Sequence, residues 1–426
     1  MRFKPLVYSQ LYLVGTLCLF FFGPISYNVE NKTLFILYIV YYHLMMILGY
    51  IFGTKLKFYY RLSSDLRQKS PISFWTLSGL AVFASLVANS NLTMTGSLVP
   101  TNIFKLFSGG FNSETIGSAY FEKIAAFDTY TGNKYLNFIL LFISWSKIVY
   151  ISYTVEFWDM LSRYKKYFAV LVISLPILSG ISTGTNKPVF DFAFFLLVSL
   201  VLFFLKNKNL TGRYNLFRRR FFIVILLFGF IFSIGFFSSA MEGRGIDLSF
   251  IETTAGSGEI KVDDKYLLNG ENVTYVVLSS YLVQGYYGFN LSLYQPFTTT
   301  FGFGNSPFLT RQFEWITGSS LRARTYQYKI DSKWAENAQW HSAYSQFAND
   351  FHFVGVGFLL FLLFFLFAFA WKLFIKFGDV YAQFLIPLFF IFIIYLPANN
   401  QVFGYVESFS TFWLLTLLIF TRIKLT

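Results

Sequence analysis

Apolar runs of about 20 residues recur from one end of this chain to the other, the length a helix needs to cross the hydrocarbon core of a bilayer. Inside lipid a segment must satisfy its own backbone N–H and C=O groups, so each run is expected to be a helix. Charged residues are only 13% of the 426, about half the share of a soluble domain. The spans are placed at 7–27, 33–53, 72–90, 136–158, 167–182, 188–205, 221–240, 353–371, 381–396 and 404–420. The first run has no small-residue cleavage site and is read as a retained helix. The expected fold is an all-α polytopic membrane protein with about ten transmembrane helices, within a range of about 10–12.

Loop charge orients the bundle, because cytoplasmic loops collect Lys and Arg. With the amino terminus inside, alternate loops carry 20 basic residues against four acidic ones, Asp65, Glu156, Asp159 and Asp379. The opposite set carries 13 basic and 17 acidic residues. Both termini are therefore expected in the cytoplasm. The net charge of +13 is spread over short loops, where it meets anionic lipid headgroups. It does not form the single basic face of a nucleic-acid binder.

The chain divides into spans one to seven with an outside loop at 91–135 (residues 1–240), a large extracytoplasmic loop with amphipathic helices (241–352), and spans eight to ten (353–426). The first part of the large loop is acidic and its later part basic. Between them, residues 273–297 read VTYVVLSSYLVQGYYGFNLSLYQPF. This stretch is apolar and aromatic with Gln284, Gly285 and Gly288 at its centre, and it is expected to lie as a helix in the membrane interface.

The basic part of the loop suits an anionic, sugar-bearing ligand. Arg311, Arg322 and Arg324 offer planar donor forks that match phosphate oxygens. Trp315, Trp334, Trp340, Tyr286 and Tyr287 supply flat faces for sugar rings. Lys187, in the tight turn STGTNKP, and Arg244, just outside the seventh span, are further candidates for a lipid phosphate. A helix through WHSAYSQFANDFHFVG would put His341 and Ser345 on one face and bring Asp350 and His352 to the membrane edge, so Asp350 and His341 are the candidate general bases. Asp350 also fits a helix N-cap. Lys147 sits near the middle of the fourth span, a costly place for a charge and therefore a functional candidate, with Asp191 as its expected partner. Glu407 is a further acid at the outer edge. One cysteine, Cys18, excludes a disulfide framework, and three histidines make a zinc site unexpected. No phosphate-binding glycine loop is present, so neither metal nor cofactor is expected, and energy would arrive in a membrane-borne donor.

The segments YLVQGYYGFNLSL at 281–293, FGFGNS at 301–306, Trp340 and ANDFHFVG at 348–355, with many spans and one large outside loop, resemble the bacterial O-antigen polymerases (Wzy type), the oligosaccharide repeat-unit polymerases. The resemblance implies a GT-C-like membrane glycosyltransferase of the bacterial inner membrane, active on its periplasmic side. Its donor and acceptor would be undecaprenyl-pyrophosphate-linked oligosaccharides, joined into O-antigen or capsular polysaccharide with release of undecaprenyl pyrophosphate. It implies that Arg244, Arg311, Arg322 and Arg324 hold the pyrophosphate. Some relatives carry Arg where this chain has Lys187, which cannot chelate phosphate in the same way. Membrane lipids are partners, and a chain-length regulator protein is a candidate one. An O-antigen ligase-like transferase and a lipid-linked oligosaccharide flippase or solute transporter are the alternatives.

Overall fold

A computed structural model describes residues 2–60, 72–109, 112–127, 133–206, 224, 229, 231–245, 260–263, 273–336 and 339–425. The basic residues Arg61, Arg67 and Lys69, the run 208–220, much of the 221–230 half of the seventh span and most of the acidic stretch 246–272 lie outside them.

The described chain is mostly helical. Six helices are long and apolar enough to cross a membrane: Lys4–Phe22, Lys32–Lys55, Tyr135–Met160, Arg163–Ser182, Lys187–Lys206 and Ala343–Phe377. Two shorter apolar helices, Val380–Tyr395 and Val406–Phe420, complete the carboxy-terminal part. The expected third span falls on the helix Phe74–Leu92, which is not one of these six: Ser78, Ser85, Asn89, Ser90 and Asn91 interrupt its apolar run.

The closest helix pair is Lys32–Lys55 against Ala343–Phe377. Gly49 and Gly53 stand four apart on one face, and a Cβ at either would overlap the backbone carbonyl of Phe361 or Phe365. Within a membrane, where lipid tails are as apolar as leucine, small residues are what bring two backbones this close. Further along the same pair, the 343–377 helix is broken at His352, whose φ is +55°. The hydroxyls of Tyr42 and Tyr41 donate to the carbonyls of Phe353 and Val354 just past the break, each at 2.9 Å.

Two short antiparallel ladders fix the ends of the bundle. Ile25–Tyr27 pairs with Ile260–Val262, and Phe58–Tyr60 pairs with Ile423–Leu425. The Lys32–Lys55 helix separates them, so residues from the large loop meet the first turn at one end, and the last residues meet the 56–60 segment at the other. An ion pair between Lys333 and Glu30, 3.4 Å, repeats the first connection.

The interfacial expectation for 273–297 is corrected. Residues Val273–Ser292 form a helix whose residues 283–292 are all buried. A helix lying on a membrane surface keeps one side free along its length; residues 283–292 of this one are enclosed on every side. Gly285 admits the carbonyls of Pro397 and Ala398, and Gly288 admits the rings of Trp334 and His341. The large loop is therefore packed into the bundle, and the helix that leads out of it begins at Ala343, capped by the Ser342 side chain, which accepts from Ser345 N at 3.3 Å.

Candidate functional site

A cavity of about 720 Å³ opens where the turn 182–188, the turn after Tyr395, the end of the Phe74–Leu92 helix and the loop helix Pro307–Thr317 meet. Its wall changes character with depth. Val172, Ile173, Phe192, Phe195 and Ile391 make it apolar between the helices. Lys123, Lys147, Lys187 and Arg311 bring four cations to it, against the two carboxylates of Asp191 and Glu407. Among the described lining residues this leaves two positive charges in excess.

Each cation is delivered by a different element. Lys147 projects from the helix Trp145–Phe157 and meets Glu407 Oε1 at 3.0 Å. Its expected pairing with Asp191 is corrected: Asp191 takes the nearer cation, Lys187, one helical turn back on its own helix. Lys187 also lies over the Tyr405 ring, 4.0 Å from its centre. Tyr405 sits close enough to Lys187, Asp191, Arg311 and Glu407 to feel the charge of each. Arg311 stands on the amphipathic helix Pro307–Thr317, which Ser306 caps by accepting from Leu309 N. It keeps a large accessible surface although protein surrounds it, because that surface faces the cavity. Burial draws its guanidinium below the ordinary value, and the group stays a cation at any physiological pH. Trp315, one turn along and 41% exposed, lines the same wall.

Lys123 comes from the helix Ser113–Phe127, in the first outside loop. It donates to Thr185 Oγ1 at 3.2 Å. Burial, and then the charge of Arg244, lowers its pKa to about 8. Sequence reasoning passed over it because a single lysine in an otherwise ordinary amphipathic helix carries no local signal. The amides of Asn89, Asn91, Asn137 and Gln401 also line the cavity. Their signal was legible as amides interrupting apolar runs. Asn91 Nδ2 donates to Asn137 Oδ1 at 2.6 Å, and Asn89 and Asn102 exchange hydrogen bonds of 3.1 and 3.2 Å, so these amides cross-link the helices around the mouth.

Arg244 is adjacent to the cavity without lining it. Its guanidinium stacks 3.8 Å from the Tyr120 ring centre and donates to the carbonyl of Gly184, where φ is +59°. It thereby holds the turn that presents Lys187. Arg322 and Arg324 stand apart from the cavity. Arg322 Nε is tied to Glu336 Oε2 at 2.6 Å, and Arg324 is exposed over the Phe301 ring, 5.3 Å from its centre.

The two candidate bases are also away from the cavity wall. Asp350 accepts from Gly302 N at 2.8 Å, Gly304 N at 3.2 Å, Asn305 Nδ2 at 2.9 Å and the Thr300 hydroxyl. It anchors the 300–305 turn from inside the helix; the N-cap of that helix is Ser342. His341 is buried against Gly288, and burial lowers its pKa to about 4, which makes it a weak proton acceptor at neutral pH.

Of the aromatic candidates, Trp315 alone faces the cavity. Tyr286 and Tyr287 are fully buried, so their expected role as sugar platforms is corrected: a stacking face must be open to a ligand. Tyr286 shares a 3.2 Å hydrogen bond with Thr16, and Tyr287 meets the edge of Trp334 at 5.1 Å. Trp334 is buried as well. Trp340 packs on Tyr281, ring centres 4.5 Å apart. Among the described residues no group of three or more His, Cys, Asp or Glu side chains is arranged to hold a metal ion. No known protein family, characterised protein or solved structure matches this chain.

Proposed function

We propose that the chain is a GT-C-like membrane glycosyltransferase that polymerises undecaprenyl-pyrophosphate-linked oligosaccharide repeat units into O-antigen or capsular polysaccharide. It would work on the outer side of a bacterial inner membrane, with both termini in the cytoplasm. The observation that carries this reading is the cavity: an apolar depth between helices beneath a mouth with two positive charges in excess. An amphiphile with an anionic head fits that gradient. A sugar diphosphate joined to a lipid carries about two negative charges, because each of its two phosphates keeps one ionised oxygen.

The chemistry follows from charge. Glycosyl transfer makes the anomeric carbon positive and loads negative charge on the departing diphosphate. Fixed cations lining the cavity stabilise that charge where it develops, and the loss of one such donor typically costs about 2–4 kcal/mol. Arg311 and Lys187 are the diphosphate ligands in this reading, with Lys123 beside them and Arg244 holding the turn. Trp315 offers the first sugar a stacking face. The donor brings its own leaving group, so no nucleotide sugar is called for.

Deleting the gene in its host tests the reading. Loss of the polymer ladder with single repeat units still displayed is the expected result. Lipid-linked units stranded on the inner face would make the protein a flippase. Full-length polymer left on its lipid, unattached to its final acceptor, would make it a ligase.

A further inference from the structure

The carboxy-terminal half of the helix Val273–Ser292 is enclosed, but the segment that leaves it is not. Tyr294, Phe297 and Phe301 are 43%, 41% and 62% exposed. Three open rings in so short a stretch form an apolar patch, the mark of a surface with a partner. Phe301 holds a φ of +55°, a region that bulky residues seldom occupy, in the turn that Asp350 anchors.

The height of this patch follows from the opposite end of the bundle. Lys372 donates to the carbonyls of Thr54 and Leu56 at 3.2 and 2.6 Å, so it and Lys55 mark one level. A hydrocarbon core takes about 20 helical residues, which leads back to about residue 35 on Lys32–Lys55 and about residue 352 on Ala343–Phe377. The two counts agree, because the Tyr38 ring lies 5.8 Å from that of Phe353. Between the two levels the helices expose Val40, Leu44 and Leu48, and Val354, Phe358 and Leu362, at helical spacing. The Phe297 ring meets that of His352 at 5.4 Å. The open rings therefore stand where this outward apolar stripe ends, at the depth where aromatic side chains gather in membrane proteins.

Cations stand beside them. Arg324 lies 5.3 Å from the Phe301 ring centre and reaches the Thr299 carbonyl at 3.5 Å. Lys329 fixes the segment by donating to Pro296 O at 2.7 Å and Thr298 Oγ1 at 3.0 Å. The acids nearby are engaged elsewhere: Glu30 by Lys333, Glu336 by Arg322, and Asp331 by the Glu336 N–H. Among the described residues no carboxylate pairs with Arg324 or Lys329.

We infer that residues 294–301, with Arg324, form a docking edge for anionic phospholipid headgroups in the leaflet at this end of the bundle. The rings sit at the acyl boundary. The Arg324 guanidinium takes a headgroup phosphate, which its planar fork matches.

The chain has one cysteine, Cys18, so single-site labelling tests this. On a Cys18→Ser background, full-length protein carrying Phe297→Cys is labelled in phosphatidylcholine nanodiscs, with Phe358→Cys and Ser319→Cys as lipid and water references. A nitroxide at 297 is expected to collide more with dissolved oxygen, and less with a water-soluble nickel complex, than one at 319. A bimane at 297 is then quenched by brominated phosphatidylglycerol or brominated phosphatidylcholine at equal mole fraction. The anionic lipid is expected to quench about three- to fivefold more strongly, the preference one Arg supplies at an anionic surface. Arg324→Gln should bring the two lipids to near parity. A label at 297 as open to nickel as that at 319 overturns the inference and leaves the rings to a protein partner. Equal quenching by the two lipids also overturns it, with no substitution at 324 needed. Selectivity that persists in a folded Arg324→Gln variant overturns it as well.

Discussion

Replacing Asp350 with Asn distinguishes an anchoring carboxylate from a catalytic one. Three donors converge on Oδ1 and one on Oδ2, two of the four being backbone amides of Gly302 and Gly304. Hydrogen bonds to a charged group each contribute about 1.5–3 kcal/mol. An Asn side chain keeps one acceptor oxygen and turns an NH2 group toward a donor, so one bond is lost and the others lose their charge assistance. Because the 300–305 turn is partly open to water, we take the low end and expect the variant to weaken this turn by about 3 kcal/mol. Local opening then becomes roughly a hundredfold more frequent. Hydrogen exchange of residues 299–306, read by mass spectrometry in nanodiscs, measures it directly. Polymer length in cells should shorten only as far as the loosened Pro307–Thr317 helix misplaces Arg311. Unchanged protection of 299–306 together with complete loss of polymer would refute the argument and return Asp350 to the role of base.

Arg311→Gln should cost roughly 30- to 1000-fold in initial polymerisation rate, from about 2–4 kcal/mol of lost charge stabilisation, while Arg322→Gln and Arg324→Gln stay within about threefold. Gly49→Ala should lower the melting temperature through overpacking by about 1–3 kcal/mol, since its Cβ would overlap the Phe361 carbonyl; an unchanged melting curve would contradict the close pairing. Lys123 titrates at about 8 because burial, and then Arg244, disfavour its charge. It is a cation below that pH and neutral above it, so affinity for undecaprenyl diphosphate should fall as pH rises from 7 to 9, and Lys123→Gln should flatten that component. The folding sign is opposite: with the folded pKa depressed, the penalty for burying the charge is largest below about 8 and fades as pH rises from there toward the ordinary lysine value.

The six helices long and apolar enough to cross a membrane were legible because lipid imposes a length and a composition that any one segment displays by itself. Lys147 was legible for the same reason: a charge in an apolar run stands out without knowledge of its neighbours. Its partner was not, because Glu407 lies 260 residues away, and only the packing of Trp145–Phe157 against Val406–Phe420 brings them together. The Val273–Ser292 helix was misread because an aromatic, glycine-containing stretch reads alike whether lipid or protein covers it. What decides is that Gly285 and Gly288 receive backbone and rings from segments more than 40 residues further on.

The arginines make the same point more sharply. Arg322 and Arg324 drew attention through local density, and density of charge along a chain says nothing about convergence in space. Arg311 had the weaker local signal, and its helix, held in place beside the Asp350-anchored turn, carries it to the cavity with Trp315. In the proposed reading, the diphosphate site is built from cations arriving from separate elements. Here Ser113–Phe127, Trp145–Phe157, Lys187–Lys206 and Pro307–Thr317 supply one each. Removing one arrival leaves three in place, so single neutralisations should weaken the site in steps. A pair such as Lys123→Gln with Arg311→Gln should depart from the sum of its members only if the two cations are coupled through the ligand or through one another. Strict additivity in probe affinity would mean that each cation acts on the ligand independently, and a single variant that leaves probe affinity unchanged would take its cation out of the site.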